Sequence, residues 1–154
     1  MQQKEVFTLG INHGTQPSDA TYAYLVVPGK DTPKAINKYR KKGNIEIAAN
    51  TADVQVVRNK DLGIWGMVFY NAGEFKHRDI QVAVDKACVL MIKENGPHTA
   101  ALHIADPGQT EADIQVSLTL PGRSKAPQTI LCSFKDSGIY AGATKAYDIR
   151  FKKY

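Results

Sequence analysis

The sequence predicts an all-β chain, an antiparallel β-sandwich that carries one short helix. Two observations predict it. From Phe75 onward, short runs that alternate apolar and polar residues are separated at regular intervals by Gly, Pro, Asn and Asp turn signals. And one stretch, Thr32 to Gly43, carries both a helix start and a helix stop. With 154 residues and 43% hydrophobic content, the chain fits one domain or two small ones around a proper core.

In order, Phe7, Leu9 and Ile11 alternate with Thr8, Gly10 and Asn12, which predicts a strand with one buried face. Tyr22 to Val27 is apolar or aromatic on both faces, which predicts a strand inside a sandwich. Between them, Asn12, His13, Gly14, Pro17, Ser18 and Asp19 are suited to a turn. Thr32 as cap, Pro33 at the first helical position and Gly43 just past the end bound a helix over 34–42. Ala35, Ile36 and Tyr39 form its expected inner face, with Lys34, Lys38, Lys41 and Lys42 outward. Ile45 to Ala48 and Val54 to Val57 read as short strands around a polar turn, followed by the aromatic run Leu62 to Tyr70. Asn71 to Glu74 is the best boundary in the chain, dividing it into 1–72 and 73–154. Beyond it, strands are expected at Ile80 to Val84, Ala87 to Ile92, Ala100 to Ile104, Ile114 to Leu120, Ile130 to Phe134 and Tyr147 to Phe151.

The residues also resemble a known family. His13-Gly14-Thr15, Asp19 to Tyr24 and Pro28-Gly29 are similar to the end of the central β domain of the chondroitin AC, hyaluronate and xanthan lyases, polysaccharide lyase family 8. Asn50-Thr51, Gln55 to Arg58 and Trp65 to Phe75 resemble the passage into that family's small C-terminal domain, and Ala105 to Gln109 resembles its aspartate-proline turn. The resemblance implies that 1–72 is the C-terminal part of the central sandwich and 73–154 the C-terminal β-sandwich domain. It implies a parent enzyme that is secreted or periplasmic and cleaves acidic polysaccharide by β-elimination, a carbon–oxygen lyase. In the family the catalytic Asn, His, Tyr and Arg lie in a large N-terminal helical toroid. None of them can be placed on this sequence, so the expected catalytic set here is empty and the expected partners are that toroid and, through the parent, the polysaccharide. Met1 to Lys4 leads straight into a strand without the regions of a secretory signal, so the expectation is a chain whose N-terminus was cut away.

Charge and motifs narrow the function classes. A net charge of +5 suits an anionic partner, but no recognition helix, zinc-ligand set or RNA-binding consensus accompanies it, which argues against nucleic acid. The longest apolar runs fall far short of the roughly 20 residues of a membrane span. The four histidines have no elbow motif near any serine, the glycines form no phosphate loop or dinucleotide fingerprint, and the aspartates sit in turns that explain them. No cofactor or metal is expected. Cys88 and Cys132 lie in apolar strand patterns and read as buried thiols, with a disulfide left open for an exported parent. As an alternative class, an autonomous carbohydrate-binding module would stack sugar on Trp65, Tyr70 or Tyr140 beside Lys38 and Lys41, although large aromatics more often fill a core. Finally, a sheet cut from a larger sandwich leaves bare edges, so Val6 to Ile11 or Leu62 to Tyr70 is expected to pair with another copy.

Overall fold

Alternating side chains dictate where each strand turns its apolar face, and the computed structural model follows that alternation closely. It describes residues 10–18, 20–110, 112–124, 126–135 and 138–152. Helix α1 is Pro33–Lys41, and the strands are β1 Ile45–Asn50, β2 Val54–Asn59, β3 Ile64–Phe69, β4 Gly73–Lys76, β5 Gln81–Val84, β6 Cys88–Gly96, β7 Thr99–Ala105, β8 Ile114–Thr119, β9 Gln128–Cys132 and β10 Lys145–Arg150. They form a six-stranded sheet in the order β1-β2-β3-β6-β7-β10 and a four-stranded sheet in the order β4-β5-β8-β9, with every pairing antiparallel. The chain is therefore an antiparallel β-sandwich with one short helix among the described residues.

One core lies between the sheets. Val56, Trp65, Met67, Phe69, Leu90, Ile92, Leu102 and Ile104 from the larger sheet meet Phe75, Val82, Ile114, Val116, Leu118 and Phe134 from the smaller side. These are the in-phase positions of each strand, so burial is the direct product of the period-2 pattern. The expected boundary near residue 72 falls where the chain crosses from one sheet to the other. β3 before it pairs along its length with β6 after it, from Ile64 opposite Lys93 to Phe69 opposite Cys88. Turn residues mark a sheet crossing and a domain boundary alike, and a crossing is found at this point.

Two expectations for the early chain are corrected. Thr32 caps α1 as predicted, its hydroxyl accepting the Ala35 amide at 3.3 Å, and Gly43 takes the left-handed φ of +63° just beyond the end. The helix buries no residue, however, and Ile36 is exposed on it. Tyr22 to Val27 forms no strand, and Tyr22, Tyr24, Leu25 and Val26 are all exposed. A strand apolar on both faces needs a sheet to join and a layer on each side, and the described residues supply neither. Its companion run, Phe7 to Leu9, lies outside the described residues. The pairing of Leu62 to Tyr70 with another copy is also corrected, because β3 is bonded to β2 on one edge and β6 on the other.

Candidate functional site

The aromatic residues singled out by sequence do not converge. Trp65 is fully buried: its inward phase on β3 puts the indole between Phe75, at 6.2 Å, and His77, at 5.1 Å, under the Arg58 guanidinium 4.4 Å from the ring. Its Nε1 donates to Glu94 Oε1 at 2.9 Å. With both ring faces covered, Trp65 is a packing residue and offers no platform to a sugar. Tyr70 is exposed just past β3, its hydroxyl donating to Gln55 at 3.3 Å. Tyr140 is exposed in the 3-10 turn Gly138–Tyr140 ahead of β10, so β6 and β7 lie between the two tyrosines in the sheet. Lys38 and Lys41 are exposed on α1.

What the fold does bring together is a groove of about 1000 Å³ between the extended segment 20–25, the end of α1 and the outer face of β1 and β2. Tyr22, Tyr24, Tyr39 and Ile47 give it an apolar lining, and Arg40, Asn44, Asn50 and Gln55 supply the polar groups. The rings of Tyr22 and Tyr24 lie 9° from parallel with centroids 6.4 Å apart, and His13 approaches Tyr22 at 5.9 Å. Residues two apart on an extended chain share a face, which is why these two tyrosines align. Among the described residues only Asn50, whose amide donates to the Tyr22 carbonyl at 3.3 Å, ties the segment to the sheet by a hydrogen bond. Such a groove can bind by stacking and hydrogen bonding; among the described residues it presents no paired acid and base. Tyr22 and Tyr24 are legible in the sequence only as strand residues, because exposure depends on what packs against the segment and not on any local pattern.

The titratable groups gather elsewhere, at the end of the sandwich near Asn59 and Glu94. Arg58 pairs with Asp79 at 2.6 Å and reaches Glu94 at 3.9 Å, and Arg123 pairs with Glu94 at 2.7 Å. His77 lies 3.8 Å from both Glu46 and Asp79, while Lys60 pairs with Glu46 at 3.1 Å. Burial pushes the Asp79 carboxyl up, but the hydrogen bond and charge of Arg58 outweigh it and hold the group below the ordinary carboxylate range. The Lys60 hydrogen bond likewise holds Glu46 low. Each acid of the cluster has a cation, and the arrangement joins the two sheets. No local motif announced it. The faint signals are Arg58 in phase with Val54 and Val56, and Glu94 in phase with Leu90 and Ile92, charges at inward positions of strands.

The remaining candidates are structural. Asp106 is buried, and its carboxylate accepts the Gly108 amide at 3.0 Å and the Thr110 amide and hydroxyl at 2.7 and 2.8 Å. Cys88 and Cys132 are buried free thiols, and burial pushes them up to about 12 and about 11. Among the described residues no three of His, Cys, Asp and Glu converge as metal ligands.

Comparison with known proteins adds the context. Residues 46–115 match the model of the polysaccharide lyase family 8 C-terminal beta-sandwich domain. Chondroitinase-AC of Pedobacter heparinus is 37% identical over 115 residues, which is 74% of this chain and 16% of that enzyme. A hyaluronate lyase of Enterococcus faecalis is 30% identical over 145 residues, 94% of this chain and 13% of the relative. A xanthan lyase of a Bacillus species is 35% identical over 66% of this chain. The chain thus spans about one sixth of the length of such relatives, or less. A solved chondroitinase AC lyase superposes over 94% of the chain and 18% of its own length with a TM-score of 0.63 at 31% identity. The Streptomyces coelicolor chondroitin AC lyase shares the fold over 91% of the chain, with a TM-score of 0.70 at 18% identity.

Proposed function

The chain belongs to polysaccharide lyase family 8, whose C-terminal β-sandwich domain it carries, and from this we propose that it is an accessory, non-catalytic β region of a lyase that degrades an acidic polysaccharide of the chondroitin or hyaluronan type. Its task is to brace the β scaffold on which a separate catalytic part is built. Residues 10–44 are the end of a preceding β domain, and the protein acts outside the cytoplasm, where such glycans occur. No helix among the described residues is long and apolar enough to cross a membrane. The observation that carries this reading is the state of its titratable cluster: Glu46, Asp79 and Glu94 are each paired with Lys60, Arg58 or Arg123, leaving no acid–base set among the described residues turned toward the groove. β-Elimination needs a carboxylate neutralised and a base poised at the neighbouring carbon.

The test is to incubate the full chain with chondroitin sulfate and with hyaluronan and follow the ultraviolet absorbance of unsaturated product. No absorbance is expected, and steady product formation would overturn the reading. A carbohydrate-binding module is the second reading, favoured by the parallel rings of Tyr22 and Tyr24 beside Arg40 and the lysines of α1. It predicts salt-sensitive affinity for a chondroitin oligosaccharide that is lost in Tyr24→Ala; a brace predicts little affinity in either protein.

A further inference from the structure

Positive charge is not spread evenly over this molecule. Of its 20 Lys and Arg and 15 Asp and Glu, residues 30–42 hold six cations and one acid, so the rest of the chain carries fourteen of each sign and the whole net charge of +5 resides in α1 and its flanks. Lys30, Lys34, Lys38, Arg40, Lys41 and Lys42 are all exposed. Among the described residues none of these six stands in an ion pair, whereas Arg58, Lys60, Arg123 and Lys135 do. Lys34, Lys38 and Lys41, three and four positions apart, share one face of α1 in a stripe about 10 Å long. Arg40 is off the stripe and lines the groove.

Neither the helix dipole nor packing accounts for this stripe. The dipole favours Lys38, Arg40 and Lys41 in the last turn but disfavours Lys34 in a first turn that has no acid. Lysine stems can cover apolar surface, but α1 buries none of its residues. Like charges three and four positions apart repel one another, so the stripe opposes its own helix until an anion faces it.

We infer that the Lys34, Lys38 and Lys41 face of α1 is an electrostatic docking site for a linear, sulfated acidic glycan, which it holds against the accessory region without taking part in cleavage. The inference rests on the reading above of a lyase for acidic polysaccharide and adds a second task to the brace. Charge complementarity chooses this occupant. A straight row of compact point cations matches a chain whose acidic groups recur at intervals, and more charge per sugar strengthens the match. A single-stranded nucleic acid would call for stacking rings among the cations, and the stripe itself has none. A membrane-surface helix needs a broad apolar face free to insert; here Ala35 and Tyr39 are half-buried, which leaves Ile36.

The test titrates the full chain with chondroitin sulfate and hyaluronan oligosaccharides of equal length, comparing the parent with three variants. Lys34→Gln with Lys38→Gln and Lys41→Gln removes the stripe. Lys76→Gln with Lys93→Gln and Lys152→Gln removes the same charge from exposed positions on other parts of the surface, and Tyr24→Ala removes a ring of the groove. Gln equals Lys in helix propensity, so the stripe variant should melt as the parent does and a lost affinity is not lost folding. The parent is expected to bind the sulfated glycan about tenfold tighter than hyaluronan, and to lose about tenfold of that affinity between roughly 50 and 200 mM salt as counterions return to the polyanion. The stripe variant should bind about tenfold more weakly, and the other two within about threefold of the parent, because distant charges are screened. Equal affinity in the parent and the stripe variant overturns the inference, and so does a loss confined to Tyr24→Ala, which would assign the contact to the rings. Tighter binding to phosphatidylserine vesicles, or to a single-stranded oligonucleotide of equal charge, that the stripe variant abolishes overturns it in favour of those partners. No affinity for either glycan at low salt overturns it and leaves the brace alone. The accessory reading fails separately, if unsaturated product accumulates during the same titrations.

Discussion

Trp65 sits between two interpretations that make opposite demands on it, and its surroundings decide between them. A ring that stacks on sugar must keep a face open, but this one has Phe75 and His77 against it, Arg58 above it and its N–H committed to Glu94. Trp65→Ala should therefore lower stability by about 4 kcal/mol, the cost of emptying a large aromatic site, and leave any affinity for glycan unchanged. Denaturant unfolding and an oligosaccharide titration of the same variant separate the two effects. The thiols are a second residue-scale case. Buried beside the core and pushed up to about 12 and about 11, Cys88 and Cys132 carry almost no thiolate near pH 8. Iodoacetamide should label them at least about a hundredfold more slowly in the folded chain than in guanidinium, and fast labelling of native protein would contradict their placement.

Among the elements, those with local causes could be read directly and those with distant causes could not. α1 announced itself through Thr32, Pro33 and Gly43, and the strands through alternation such as Ile114, Val116 and Leu118, because caps and pleats act within a few residues. β4 is only four residues long, and its Gly73 and Glu74 carry the turn chemistry that serves a crossing between sheets and a domain boundary alike. Tyr22 to Val27 reads as a buried strand because its composition is apolar on both faces, and composition alone does not say whether a sheet is at hand to receive it. The ion pairs that join the two sheets, Arg58 with Asp79 and Arg123 with Glu94, link residues 21 and 29 positions apart, too far for any motif. The turn at the end of β7 shows how a distant contact fixes a local choice. Gly142 has a φ of +74°, and a Cβ there would lie 2.0 Å from the Asp106 carbonyl oxygen, while its own carbonyl accepts the Asp106 amide at 3.1 Å. Gly142→Ala should cost at least about 2 kcal/mol through strain and clash together. Thermal melts would show it as a lowered midpoint, and a midpoint equal to the parent's would place the Asp106 turn elsewhere.

For the molecule as a whole, the two sheets are joined differently at their two ends, and pH should separate the contributions. Near Glu94, charges do the joining: Arg58 on β2 holds Asp79, which follows β4, and Arg123, which follows β8, holds Glu94 on β6. Asp79 and Glu46 are held below the ordinary carboxylate range in the fold. A carboxyl depressed in this way contributes stability that is fully present above its unfolded value and is lost as the pH falls through its folded one. The melting midpoint should then stay level from neutrality down to the ordinary carboxylate range and drop steeply below it. Asp79→Asn should melt lower at pH 7, by about 2 kcal/mol for a charged hydrogen bond inside the seam, and its acid decline should be shallower because one of the titrating groups is gone. The alkaline limb has the opposite sign. Cys88 and Cys132 are raised by burial from an ordinary 9.0, so the stability tied to their neutral forms is present below that value and fades as the pH climbs toward 11 and 12. A series of melts across both limbs, on the parent and on Asp79→Asn, reads the two effects separately. Parallel acid limbs in the two proteins would mean that Arg58 and Asp79 are neighbours without being partners, and the charged end of the sandwich would then have to be held by packing around Trp65 alone.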